Sequence, residues 1–115
     1  LHLPLLPEQF RLFFETGSAK LTKDSSIALP EVIEAMKKRQ APDVSVVGHT
    51  DSVGSSKYNR ELGLKRANSV ADKIRAEGLK NVEVSVQSEG EDKLLVPTKD
   101  GVAEPQNRRV EITVR

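Results

Sequence analysis

The order of patterned segments predicts an α+β fold: a βαβαββ chain that forms a mixed four-stranded sheet, with two long helices packed on one face. Three observations point there. Apolar residues recur at helical spacing at Leu29, Val32, Ile33 and Met36, and again at Ala67, Val70, Ala71 and Ile74. The segments "DVSVVGH" (43–49), "VEVSVQSEG" (82–90) and "NRRVEITVR" (107–115) alternate with a period of two. Finally, a helical segment separates each of the first two strands from the next, as a parallel crossover requires, and only a loop joins the last two.

Each element has its own signal. "FRLFFET" (10–16) reads as a buried strand that ends in a turn at Gly17 and Ser18. The first helix carries Lys37, Lys38 and Arg39 in its last turn, where cations complement the helix dipole. Pro30 suits a first helical turn and not an interior, so this helix either starts near Leu29 or kinks there. Pro42 separates it from strand 43–49, where Val44, Val46 and Gly48 share one side and Ser45, Val47 and His49 the other. The second helix runs from about Ser56 to Glu77, with Gly78 as its stop. "LLVPTKDGVAEPQ" (94–106) is loop-like, with two prolines. Val110, Ile112 and Val114 then mark the inward side of the last strand.

Composition bounds the function. A chain of 115 residues suits one domain, here 1–115, with 1–8 expected as a flexible linker because Pro4 and Pro7 interrupt it. It begins on Leu1 rather than Met and reads as a fragment or processed form whose upstream context is missing. The net charge of +1 and the 3% of aromatic residues support neither nucleic-acid binding nor a base-stacking platform. There is no cysteine, hence no disulfide, thiol chemistry or thiolate metal site. No apolar run is long enough to cross a bilayer as a helix.

The functional signal is "GHTDSVGSSKYNRELGLKRANSV" (48–70). Asp51 lies just past a strand end, where ligands gather in open sheets, and Arg66 lies two to three turns into the following helix. The pair has two readings. One is an intramolecular Asp51–Arg66 ion pair. The other is a clamp for a zwitterion, in which Asp51 accepts an ammonium and Arg66 holds a carboxylate in a two-bond fork. Thr50, Ser52, Asn59 and the backbone of Gly54 would supply directional hydrogen bonds.

The same stretch resembles the signature of the OmpA-like peptidoglycan-binding domain, found in outer-membrane proteins, the peptidoglycan-associated lipoprotein and the flagellar stator protein MotB. "LFFETGSAKLT" (12–22) resembles that family's first strand and turn, and "QNRRVEI" (106–112) its closing segment. The resemblance implies a periplasmic module of an outer- or inner-membrane protein. It would bind the peptide stem of peptidoglycan non-covalently through meso-diaminopimelate, and would anchor an envelope protein to the cell wall. It implies Asp51 for the ammonium and Arg66 for the carboxylate, with Thr50, Gly54, Asn59, Leu62 and Gly17 around them. Val53, Gly63, Arg108 and Arg109 are further groove positions. Membrane attachment would come only from a missing upstream segment, and other envelope proteins are possible partners.

Two departures stand out: Gly63 where the family usually has serine, and Gly17 where it often has a polar side chain. They keep open an alternative, a family-like periplasmic scaffold that has lost its ligand and serves protein contacts. An enzyme is disfavoured, because Ser45, His49 and Asp51 form no triad by proximity in sequence and Glu15, Glu61 and Glu89 form no acid–base couple. With His2 the only other histidine, His49 reads as a hydrogen-bonded structural residue rather than a metal ligand, and no cofactor or metal is expected. Arg108 and Arg109 are neighbours on a strand and point to opposite faces, one toward the groove and the other toward solvent.

Overall fold

The computed structural model describes residues 5–79 and 81–115. The elements in chain order are β1 (Glu8–Phe13), α1 (Lys23–Lys37), β2 (Asp43–His49), α2 (Ser56–Ala76), β3 (Glu83–Gly90), a 3-10 turn (Pro105–Asn107) and β4 (Arg109–Val114). The expected α+β class and mixed four-stranded sheet are found, in the order β1-β4-β2-β3. β2 and β3 run parallel, whereas β4 is antiparallel to both β1 and β2. β1 and β2 therefore point the same way, with β4 inserted between them. Their carboxyl ends, Phe13 and His49, lie at one end of the sheet beside Arg109, the first residue of β4.

The alternation carries the core. Val44 and Val46 of β2, and Val110, Ile112 and Val114 of β4, are fully buried. They meet Leu12, the α1 residues Val32, Ile33 and Met36, and the α2 residues Ala67, Val70 and Ile74 in one cluster. One apolar sheet face covered by two helical stripes is the arrangement that removes most apolar area from water.

Of the two expected arrangements of α1, the start near Leu29 is not the one found. It starts at Lys23, well before Leu29, and Pro30 lies inside it. Thr22 caps it, its side chain accepting from the Ser25 amide at 3.3 Å. Pro30 and Ser26 are both exposed, so water can take the helical hydrogen bond that proline cannot make. Ser25 Oγ accepts from the Phe13 amide at 2.8 Å and ties α1 to the end of β1.

β1 is also displaced. It begins at Glu8, paired with Val114, and ends at Phe13. Beyond it, Phe14 bridges Leu21, and the Glu15 amide donates to the Lys20 carbonyl at 2.9 Å, closing a tight loop where a continued strand was expected. Residues 1–4 of the expected linker lie outside the described residues. The Leu6 carbonyl accepts from Arg39 Nη2 at 2.6 Å, and Glu8 is already part of the sheet.

Candidate functional site

Three loops converge at the common end of β1, β2 and β4: residues 14–22, 50–55 and 91–108. Loop 50–55 is fixed first. The Thr50 amide donates to the Gly90 carbonyl at 2.8 Å, and Thr50 Oγ1 donates to the Asp51 carbonyl at 2.8 Å. Gly54 has φ +90°, a conformation that costs glycine little. Asn59, on the first turn of α2, donates to the Val53 carbonyl at 2.9 Å and to Glu91 Oε1 at 3.2 Å.

Ser52 then draws the long loop in. Its Oγ donates to the Lys99 carbonyl at 3.0 Å and accepts from the Val102 amide at 3.3 Å, while its own carbonyl accepts from the Gly101 amide at 3.0 Å. The Thr50, Ser52 and Asn59 side chains, expected to face a ligand, are thus buried and engaged in shaping the loops.

Asp51 is 6% exposed. Its Oδ1 accepts from the Val53 amide at 3.3 Å. Its Oδ2 accepts from Arg108 Nη1 at 3.1 Å and from the Glu104 amide at 3.4 Å. The ion pair of Asp51 is therefore with Arg108, and not with Arg66 as one sequence reading had it. β4 enters the sheet between β1 and β2, which delivers Arg108 to the end of β2.

Arg66 is fully buried. Nε donates to the Ser18 carbonyl at 2.8 Å, Nη1 to the His49 carbonyl at 3.0 Å and Nη2 to the Glu15 carbonyl at 3.2 Å. The guanidinium also lies 5.5 Å from the centroid of the Phe14 ring. Burial pushes its pKa down to about 10; Asp51 opposes that shift and Arg108 adds to it. Arg66 is therefore charged at neutral pH. Of its five N–H groups these bonds use three, so two remain to donate elsewhere.

Leu62 lies one turn before Arg66 on the same face of α2 and is 8% exposed, whereas Val53 is largely exposed. Gly17 adopts φ +60° with nothing near the position of a Cβ, so glycine there answers the backbone and not a lack of space. Gly63 does not line the groove. It packs against the backbone of Gly48, and a Cβ at 63 would meet Ser88 Oγ. Ser88 Oγ itself donates to the Arg60 carbonyl at 2.7 Å, so a hydroxyl from β3 occupies the space a serine at 63 would need.

Neither Arg108 nor Arg109 is solvated. Arg109 is 3% exposed, its Nε donating to Glu111 Oε2 at 2.6 Å and its Nη2 to the Lys93 carbonyl at 3.1 Å. A strand buried on one face and covered at its start by loop 91–108 leaves no exposed side for Arg109. His49 is buried beside it, with Nε2 3.9 Å from Glu111 Oε2 and no partner on Nδ1 among the described residues. Burial, and then the charge of Arg109, push its pKa down to about 4. A hydrogen bond to the Lys93 backbone opposes part of that shift, and the His49 carbonyl is held by Arg66.

Sequence reasoning missed the backbone carbonyls of Glu15, Ser18 and His49, for which no residue type gives a signal. It also missed Arg108 as the partner of Asp51. No group of three or more residues among the described ones could hold a metal ion.

The model of the OmpA family matches residues 13–108. The peptidoglycan-associated lipoprotein of Legionella pneumophila is 37% identical over 94 residues, covering 76% of this chain and 53% of that protein. The outer-membrane lipoprotein YfiB of Pseudomonas aeruginosa is 31% identical over 104 residues, covering 90% of this chain and 62% of that protein. A protein of Gloeobacter violaceus named as a photosystem I apoprotein A2 is 34% identical over 117 residues, covering 96% of this chain and only 13% of that protein. The chain thus spans less than two thirds of the length of these relatives. Among solved structures, the peptidoglycan-associated lipoprotein of Burkholderia pseudomallei superposes with a TM-score of 0.80 at 25% identity, over 91% of this chain and 89% of that one. The C-terminal domain of Helicobacter pylori MotB does so with a TM-score of 0.77 at 24% identity, over 92% of this chain and 84% of that one, a likeness of fold alone.

Proposed function

The chain belongs to the OmpA family, and on that premise we propose that it binds peptidoglycan non-covalently through the meso-diaminopimelate of the stem peptide, anchoring an envelope protein in the periplasm. One observation carries the reading: Asp51 and Arg66, both buried at the strand ends, are not paired with each other. An opposite pair kept apart in a region of low dielectric is suited to a ligand that brings both charges. The free end of diaminopimelate carries an ammonium and a carboxylate on one carbon. The ammonium approaches Asp51. The carboxylate takes the N–H groups that Arg66 has left, and the three carbonyl bonds hold that guanidinium in place beforehand, so little ordering cost remains at binding.

A second reading, a scaffold that no longer binds the ligand, is favoured by one observation: Asp51 is already engaged by Arg108. Co-sedimentation with purified sacculi separates the two. The domain should sediment with sacculi whose stems carry diaminopimelate, free diaminopimelate should release it, and Asp51→Asn should remain in solution. Equal recovery on sacculi whose stems carry lysine would defeat the proposal, because lysine lacks the second carboxylate.

A further inference from the structure

We propose that Arg108 is a specificity-determining residue of this site, held by Asp51 in the free protein and turned to a second carboxylate of the ligand on binding. The inference rests on the reading of the site as a stem-peptide clamp.

The charges of the site favour a ligand with a second carboxylate. Asp51, Arg66 and Arg108 form a cluster of one negative and two positive groups, with side chains 9% and 12% exposed at Asp51 and Arg108 and Arg66 fully buried. A simple zwitterion adds one charge of each sign and leaves the excess positive charge in place. A ligand with one ammonium and two carboxylates cancels it. Screening is weak in a buried cluster, so that difference is felt.

A ligand ammonium also competes with Arg108 for Asp51. Oδ2 of Asp51 already accepts from Arg108 Nη1 at 3.1 Å and from the Glu104 amide. An ammonium arriving at the same carboxylate meets a like charge, which disfavours keeping Arg108 there.

Arg108 has donors and space with which to act elsewhere. Its Nε is buried with no partner among the described residues. The side chain also lines an apolar depression of about 250 Å³ between Phe13, Phe14, Glu15 and Pro105. Glu15 and Phe14 also hold Arg66, so this depression adjoins the clamp. A carboxylate on a short aliphatic segment fits such a place: methylene and methyl groups against the rings, and the two oxygens on the fork of Arg108.

Two carboxylates of a stem peptide have this chemistry, the α-carboxylate of the γ-linked D-glutamate and the chain carboxylate of diaminopimelate. Calorimetry with three tripeptides, L-alanyl-γ-D-glutamyl-diaminopimelate as free acid and with either carboxylate amidated, tells them apart. Wild type should lose about tenfold or more in affinity for one of the amides, the size expected of a hydrogen bond to a charged group. The amide that binds weakly identifies the carboxylate. Arg108→Gln should bind that amide and the free acid alike. Arg108→Lys, which keeps a cation opposite Asp51 and protects the fold, should show a smaller discrimination than wild type. A purely structural Arg108 would change overall affinity and leave the ratio between ligands untouched. Equal binding of all three peptides by wild type overturns the inference, as does undiminished discrimination in Arg108→Gln or, should that variant not fold, in Arg108→Lys. Failure of wild type to bind any of the three overturns the clamp reading and this inference together.

Discussion

The guanidinium of Arg66 sits 5.5 Å from the ring centroid of Phe14, while its three nitrogens are tied to carbonyls of Glu15, Ser18 and His49. One helical side chain thus ties the loop after β1 to the last residue of β2. The aromatic face and the carbonyl dipoles compensate a charge that burial would otherwise oppose.

Arg66→Lys tests this arrangement in both stability and binding. A lysine keeps the charge but cannot span three carbonyls with a planar fork. The expected cost is about 1–3 kcal/mol of stability for hydrogen bonds to a charged group, with a loss of similar size in affinity for a stem tripeptide. Urea denaturation and calorimetry measure the two. Binding equal to wild type would mean that generic positive charge suffices, and the forked clamp would be wrong.

Gly63→Ala and Gly48→Ala test the contact between α2 and β2. Helix propensity alone favours alanine at 63 by about 1 kcal/mol. The structure reverses that sign, because the added Cβ meets Ser88 Oγ and the Gly48 backbone, and overpacking typically costs about 1–3 kcal/mol. At Gly48 the Cβ would run into the Gly63 carbonyl, which is backbone and cannot rotate away. Melting temperatures should therefore fall in the order wild type, Gly63→Ala, Gly48→Ala. A Gly63→Ala variant more stable than wild type would contradict the close approach.

Stability should depend on pH through His49. Its folded pKa is depressed to about 4 from 6.5, first by burial and then by Arg109. Below 6.5 the unfolded chain takes up a proton that the folded protein refuses, so the unfolded state binds more protons and stability falls as pH falls. The contribution is whole above 6.5 and has disappeared near pH 4. Between pH 7 and pH 5 the loss is about 2 kcal/mol. Glu111, which burial alone would raise, is held below its usual range by the hydrogen bond and charge of Arg109, so its own contribution is lost at still lower pH. His49→Gln should flatten the slope between pH 7 and pH 5 in urea titrations. An unchanged slope would assign the dependence to other groups.

Much of the fold was legible because it is written in local periodicity. Val44 and Val46, then Val110, Ile112 and Val114, and the stripe of Ala67, Val70, Ala71 and Ile74 all face the core as their spacing requires. Gly78, at φ +67°, follows the end of α2 as expected. Asp51 and Arg66 were marked by residue type and by position at a strand end and on the next helix. The tertiary structure decided the rest. It placed β4 between β1 and β2, and so brought Arg108 to Asp51 across 57 residues of sequence. It chose the acceptors of Arg66, which are carbonyls 17, 48 and 51 residues away. It allowed Pro30 inside α1 by leaving that turn in water, and it required glycine at 48 and 63 by pressing helix on strand. The division has a physical cause. Periodicity and turn chemistry belong to neighbouring side chains, whereas a backbone carbonyl is the same at every residue, and its partners are set only when distant strands meet.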